Sequence, residues 1–225
     1  MSRQLIVVDC ETTGLHDDAA ILEIAAVNVE TGDELAFVPY VSGEQLAKAQ
    51  PDALRINRYY ERAVYREMLS PADTADAFDE LATMLKGNTF GGSNPVFDSN
   101  LVAQARVTPG DRGRDRRPQV RLPAHVPGVT PPAYASVGSQ PVVGRVWHHR
   151  LADLAAYAAG VLGLNPTELP GLDAVIEKVD FMVPNFMVPI GEVDSYERHT
   201  ALGDARITAS CFRRLTLWAE QNRSR

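Results

Sequence analysis

Cysteine is almost absent from this chain of 225 residues, which contains only Cys10 and Cys211. Two cysteines cannot build the disulfide framework of a small secreted domain, and neither has a Cys or His partner at the spacing of a zinc site. The excess of arginine over lysine is typical of a GC-rich bacterial or phage genome. The sequence therefore predicts a protein of a reducing compartment, and we expect a cytoplasmic location in a bacterium or a phage-infected host.

Long apolar runs are also missing from the sequence. No stretch approaches the ~18 residues that a membrane-spanning helix requires, and the first residues do not follow the layout of a signal peptide. Hydrophobic residues make up 45% and charged residues 23% of the chain, which are ordinary values for a globular protein. These proportions argue against collagen-like and wholly disordered classes, and we expect a single domain without membrane contact.

Basic residues are fewer than acidic ones, 22 against 29, so the formal net charge is −7. The chain as a whole is therefore not expected to coat nucleic acid with a uniformly basic surface. One basic segment, Val107–Arg145, contains six Arg and two Asp, and it holds 7 of the 15 prolines. Because proline breaks helices and sheet ladders, we interpret residues 107–145 as a surface insertion within one domain that spans residues 1–225.

The rest of the chain alternates between strand and helix patterns. Leu5–Val8 is a continuous apolar run, as in a strand that is buried on both faces. Two further strands, Ala20–Val29 and Glu34–Val38, flank a Thr-Gly-Asp turn and predict a β-hairpin. Later strands are predicted at 89–93 and 146–148, and helices within 44–69 and at 70–85, 95–105, 151–162, 172–179 and 200–221. This order predicts an α/β fold in which a mixed sheet is flanked by helices on both faces.

Four carboxylates stand near the ends of these elements. Asp9 and Glu11 follow the first strand two residues apart, so both side chains point to the same face of that strand. Asp98 starts a helix, and Asp204 lies in the last helix, five residues after His199. Hard oxygen ligands suit Mg²⁺ or Mn²⁺, and phosphoryl-transfer sites commonly hold two such ions ~3.5–4 Å apart. Taken singly, each residue is better explained by an ordinary role: the pair as a solvated strand end, Asp98 as a helix cap or dipole partner, and His199 as a surface or core histidine. Their combination is what favours a metal site.

Three motifs resemble those of the DEDDh 3′→5′ exonucleases, the DnaQ-like family that includes the proofreading ε subunit of bacterial replicases. Residues 7–15 (VVDCETTGL) are similar to the first motif, residues 94–98 (NPVFD) to the second and residues 199–205 (HTALGDA) to the third. The motifs occur in the order of the family. The resemblance implies a ribonuclease H-like fold and hydrolysis from a 3′ end that releases nucleoside 5′-monophosphates.

The same resemblance assigns a role to each motif residue. It implies a general base, His199, and four acidic ligands for two Mg²⁺ or Mn²⁺ ions: Asp9, Glu11, Asp98 and Asp204. A neutral histidine can accept the proton of the attacking water near neutral pH. Five residues along a helix rotate about 140° beyond one turn, so His199 and Asp204 cannot face one site from a single regular helix. We therefore expect the helix to begin near Thr200, with His199 in the preceding loop.

Three residues after the first strand are candidates for contact with the terminal nucleotide. Thr12 and Thr13 offer backbone N–H or hydroxyl groups, and the alternative is a pair that only forms a turn beside Gly14. Leu15 is a candidate wedge against the terminal base, and its alternative is an ordinary core contact.

The insertion supplies further candidates in Arg114, Arg116 and Arg117. The planar fork of arginine binds phosphate oxygens through two parallel hydrogen bonds. We therefore predict that these side chains guide the strand upstream of its 3′ end. The alternatives are a solvated loop and a contact with another protein.

These patterns together predict a metal-dependent 3′→5′ exonuclease that acts on single-stranded DNA. The expected partner is a nucleic acid with a free 3′ end, and a DNA polymerase is a candidate protein partner in replication and proofreading. One alternative is an RNA-trimming, oligoribonuclease-like enzyme, since no residue identifies a contact to the 2′-OH that distinguishes RNA from DNA. Another is an inactive exonuclease fold used as a binding module, against which the presence of all five motif residues argues.

Overall fold

A mixed sheet forms the centre of the computed structural model, which describes residues 2–16, 18–105, 144–183, 189–192 and 197–222. Within these residues the sheet has five strands: β1 Leu5–Thr12, β2 Ile21–Asn28, β3 Glu34–Phe37, β4 Thr89–Gly92 and β5 Ala152–Asp153. Their order is β3-β2-β1-β4-β5. The β1–β2 and β2–β3 pairs are antiparallel, whereas β1–β4 and β4–β5 are parallel. The predicted hairpin and the predicted mixed sheet are both confirmed.

Helices pack around this sheet. They are α1 Gly43–Ala47, α2 Pro51–Ile56, α3 Pro71–Leu85, α4 Pro95–Gln104, α5 Leu154–Leu162, α6 Leu172–Met182 and α7 Ala201–Asn222, with 3₁₀ turns at Val64–Arg66 and Ile190–Glu192. The start of α3 shows why the sequence predicts its position: the Ser70 side chain accepts a hydrogen bond from the Asp73 N–H, and a proline follows the cap. In the described part of the chain, no helix is both long and apolar enough to cross a membrane.

Alternate residues of β1 belong to two different hydrophobic cores. Val7 belongs to the core formed with α5, α6 and α7. Ile6 and Val8 belong to the core on the opposite face, with α3 and α4. Because side chains alternate along a strand, Asp9 and Glu11 share the face of Val7, which α7 covers. The burial of both faces of β1 thus carries two acids to the amino-terminal end of α7.

The strand predicted at 146–148 is wrong. The His148 N–H donates to the Asn88 carbonyl at 2.8 Å and the Gly87 N–H donates to the Val146 carbonyl at 3.0 Å, but this segment adds no strand to the sheet. Trp147 is buried, with its ring centroid 5.1 Å from that of Phe90. The apolar pattern at 146–148 therefore arises from the burial of the Trp147 indole beside β4. The strand, β5, lies a few residues later.

Candidate active site

The carboxyl-terminal end of β1 and the first turn of α7 bring three carboxylates together. Asp9, Glu11 and Asp204 each have an oxygen atom within 4.8 Å of the others, and we call these residues the acidic trio. Asp9 pairs with Ala25 and Glu11 with Glu23 in the antiparallel β1–β2 ladder, which positions the first two acids. The first and third motifs, from opposite ends of the chain, therefore meet at one point.

The acidic trio has the chemistry of a divalent cation site. Burial raises the pKa of Asp9 well above its ordinary value, and the charges of Asp98 and Asp204 raise it further. Burial raises the pKa of Glu11 to about 7, and the neighbouring charges of Asp204 and Glu23 act in the same direction. Crowded carboxylates of this kind resist ionisation unless a cation compensates their charge. The hard oxygen donors fit Mg²⁺ or Mn²⁺ better than a metal that prefers nitrogen and sulfur.

Asp98, from the second motif, lies beside the acidic trio and is not one of its members. Its side chain is buried in the first turn of α4 and accepts hydrogen bonds from the thiol and backbone of Cys10. Burial raises the pKa of Asp98 to about 7, although the bonds from Cys10 act in the opposite direction. The structure therefore brings Asp98 close enough to influence Asp9 electrostatically, and its role as a direct ligand stays a prediction.

His199 lies in the loop before α7, as the helix geometry predicts. Its side chain is exposed and its backbone adopts a left-handed φ of 59°. Thr200 closes the turn, because its hydroxyl donates to the Glu197 carbonyl at 2.8 Å and accepts from the Gly203 N–H at 3.0 Å. The backbone N–H of His199 donates to Asp204, which lowers the pKa of that acid, although burial of Asp204 outweighs this effect. The predicted general base is thus attached through its own backbone to the acidic trio.

Two arginines from the segment after α2 hold this loop in place. Arg58 forms an ion pair with Glu197. Arg62 donates to both carboxylate oxygens of Glu23, at 2.7 and 2.6 Å, and to the His199 carbonyl at 3.4 Å. No sequence pattern singles out these arginines, because their partners lie far away along the chain.

Arg198 is a third arginine at the site, and the sequence analysis did not identify it. Its guanidinium forms an ion pair with Asp204 and a second one with Asp173 at 2.6 Å. The only available sequence signal is its position directly before His199 in the third motif. Arg198 is the one basic side chain among the described residues that the structure pairs with a member of the acidic trio.

The candidates for nucleotide contact fall into two groups. Thr12 and Thr13 are buried, and their hydroxyls bond within the protein: that of Thr12 donates to the Gly14 carbonyl at 2.8 Å, and that of Thr13 accepts from the Ala20 N–H at 2.9 Å. The turn interpretation accounts for both hydroxyls. Leu15, in contrast, is 80% exposed, which excludes the core-contact alternative. Its contact with a terminal base stays a prediction.

The arginines of the insertion lie outside the described residues: Arg114, Arg116 and Arg117. The described chain ends this section at Ala105, directly after α4, and resumes at Gly144. Because α4 begins beside the acidic trio, Ala105, the last residue described before the insertion, lies about one short helix away from it. The proposed contact with phosphates stays a prediction.

Comparison with known proteins finds a similar family for the part of the chain that holds the first two motifs. Residues 6–108 match the RNase T family model, described as an exonuclease domain. This part of the chain is similar to the exonucleases that the model describes. The resemblance of the motifs to the DnaQ-like exonucleases is thereby confirmed. No curated protein sequence matches the chain.

Solved exonuclease structures share the fold. The zinc-bound form of Escherichia coli Exonuclease I in complex with single-stranded DNA aligns with a TM-score of 0.55 at 14% identity, over 99% of this chain and 42% of that chain. A second Exonuclease I structure gives 0.53 at 16% identity, over 98% and 43%. A 3′-exonuclease that recognises a histone mRNA stem-loop gives 0.52 at 9% identity, over 96% and 64%. The present chain thus spans less than half the length of these Exonuclease I chains, and at such identities the likeness concerns the fold.

Proposed function

We propose that this chain is a metal-dependent 3′→5′ exonuclease that releases nucleoside 5′-monophosphates from single-stranded DNA, either alone or beside a DNA polymerase. The observation that carries this proposal is the acidic trio, three buried or half-buried carboxylates within 4.8 Å of one another, next to an exposed histidine. The family match of residues 6–108 supports exonuclease chemistry. The likeness to an Exonuclease I complex with single-stranded DNA favours DNA as the substrate.

The residues of the site suit the two-metal hydrolysis of a phosphodiester. Asp9, Glu11 and Asp204 would hold one divalent ion, and Asp98 would complete a second position beside Asp9. When bound, such ions supply Lewis acidity toward the phosphate and its leaving oxygen. His199 takes a proton from the attacking water as the water oxygen bonds to phosphorus. The bond from phosphorus to the 3′ oxygen then breaks, and this oxygen leaves with a proton from solvent.

The exposure of His199 fits this role as proton acceptor. Its ring is accessible to solvent, so a proton taken from water can leave the site after each turnover. Its backbone remains fixed by the hydrogen bonds to Asp204 and from Arg62. The loop therefore keeps the base beside the acidic trio without burying it.

A second candidate is a 3′→5′ exoribonuclease. The likeness to a 3′-exonuclease that recognises a histone mRNA stem-loop supports this alternative. Both candidates require the same acidic trio, and they differ only in whether the site tolerates or requires a 2′-OH.

One assay tests both candidates. A 5′-labelled single strand of ten nucleotides is incubated with the protein and Mg²⁺ or Mn²⁺, as DNA and as RNA in parallel, and with EDTA as the metal-free control. We expect stepwise shortening from the 3′ end, release of 5′-monophosphates, and faster reaction on DNA. The Asp9→Asn variant should be inactive, whereas Asp76→Asn, which removes an exposed acid on α3, should keep full activity. Binding without cleavage by the wild-type protein would instead indicate a binding module.

A further inference from the structure

Arg198 places a positive charge directly against the acidic trio. Its Nη1 bonds to Oδ1 of Asp204, while its Nε and Nη2 donate to Oδ1 of Asp173 at 3.2 and 2.6 Å. The Asp204 side chain is only 11% exposed, whereas the Asp173 side chain is 82% exposed. One side of the guanidinium thus lies in the site, and the other side lies at the protein surface.

This arrangement conflicts with a cation at Asp204. A carboxylate oxygen that accepts a hydrogen bond from a guanidinium cannot use the same lone pair for a metal ion. The guanidinium charge also repels a divalent cation across a few ångströms. Its influence extends over the whole trio, because the charge of Arg198 lowers the pKa of Asp9, Glu11 and Asp204. Oδ2 of Asp204 stays open to a metal ion, but the lost lone pair and the positive charge both weaken metal binding, so metal binding and the Arg198–Asp204 pair oppose each other.

The surroundings allow the side chain to exchange without disturbing the backbone. The loop is fixed elsewhere, through the Thr200 hydroxyl and through the hydrogen bond from Arg62 to the His199 carbonyl. Asp173, on α6, forms its own ion pair with the guanidinium, and this pair can persist at the surface when the bond to Asp204 breaks. Only the Arg198 side chain has to move away from Asp204.

We propose that Arg198 competes with divalent metal for Asp204: it balances the trio in the metal-free protein and is displaced when metal binds. Arg198 is then a positioning residue that sets the metal concentration at which the site fills. This inference rests on the proposed function only in taking the acidic trio as the metal site.

Metal titration without nucleic acid tests the proposal. The metal-free protein is titrated with Mn²⁺ in a calorimeter, and the dissociation constants of wild type and Arg198→Gln are compared. Glutamine removes the charge and keeps a polar side chain, so we expect Mn²⁺ to bind about fivefold more tightly, the size expected for one partly exposed ion pair. Arg198→Lys keeps the charge but loses the fork, and its affinity should lie between the two.

Arg206→Gln is the matched control. It removes the same charge from a residue on α7 that pairs with Glu34 on β3 at 2.7 Å, and this charge is not among the main influences on the pKa values of the trio. Its Mn²⁺ affinity should equal that of wild type within about twofold, since a more distant charge is screened by salt.

The possible results separate the two proposals. Equal or weaker Mn²⁺ binding by both Arg198→Gln and Arg198→Lys, with wild type binding normally, overturns the competition alone. Absence of Mn²⁺ binding in wild type and in every variant shows that the trio is no metal site, and the proposed function falls with the inference. Circular dichroism and thermal melting verify that each variant is folded, and Arg198→Lys carries the test if Arg198→Gln does not fold.

Discussion

The two halves of the site are held in place by different forces. Asp9 and Glu11 lie on β1, where they pair with β2 directly after the residues that pack into two cores, so their positions follow from the fold itself. His199 lies in a loop that depends on one capping hydroxyl and on ion pairs made by arginines. Hydrogen-bonded buried strands open rarely, whereas exposed ion pairs contribute little stability each. The half of the site on β1 is therefore rigid, and the half that would accept the proton is easily perturbed.

The largest expected effect comes from the rigid half. Asp9→Asn replaces a carboxylate of the trio by a neutral amide, and we expect it to abolish nearly all exonuclease activity. We expect the same of Asp204→Asn. Burial and the neighbouring acids destabilise the charge of Asp9 in the metal-free protein. The metal-free variant should therefore melt at the same or a higher temperature than wild type. Activity of Asp9→Asn near the wild-type level would contradict a two-metal site at the trio.

The half of the site that contains His199 should affect the rate and leave metal binding intact. His199→Ala should lower the maximal rate by roughly 10²–10⁴, because a general base is lost, while Mn²⁺ binding measured by calorimetry stays unchanged. The acidic limb of the pH–rate profile should change as well, since a histidine must be neutral to accept a proton. If the rate or this limb is unaltered, another group or solvent takes the proton.

A smaller effect is expected from a change at the contact between α7 and the loop that contains His199. A Cβ at Gly203 would overlap the Glu197 carbonyl, so the loop must shift to admit one. We expect Gly203→Ala to reduce the free energy of unfolding by about 1–3 kcal/mol, the usual range for overpacking, and to slow turnover by displacing His199. Urea unfolding and steady-state kinetics measure the two effects.

Gly160→Ala is the control for that variant. Gly160 lies in α5 with nothing within 4 Å of an added Cβ, so the substitution should leave stability unchanged or raise it by about 0.5–1 kcal/mol. Equal unfolding free energies for the two variants would show that the loop does not depend on close contact with α7.

The sequence predicts the half of the site on β1 more fully than the half that contains His199, for a physical reason. Asp9 and Glu11 follow from a period of two along an apolar strand, and the position of His199 follows from the period of a helix. The partners of Arg62 and Arg198 are set by tertiary packing, and no local pattern records them. The sequence likewise misplaces the last strand, because β5 has only two residues and leaves too short a pattern to detect.

The smallest expected effect is a change of melting temperature with pH, caused by the acids of the site. The pKa values of Glu11 and Asp98 are raised to about 7 from ordinary values of 4.5 and 3.8. Between about pH 4 and pH 7 the folded protein therefore binds more protons than the unfolded chain, so its stability falls as the pH rises through that window. We expect the metal-free protein in EDTA to melt a few degrees lower at about pH 8 than at about pH 6.

Saturating Mn²⁺ should reduce this difference in melting temperature, because the cation stabilises the ionised acids of the folded state. Asp98→Asn should also reduce it, by removing one of the acids whose pKa is raised, whereas Asp76→Asn should not. Identical pH dependence in EDTA and in Mn²⁺ would show that metal does not bind these acids, and the contrast between a metal-holding strand and a proton-accepting loop would then fail.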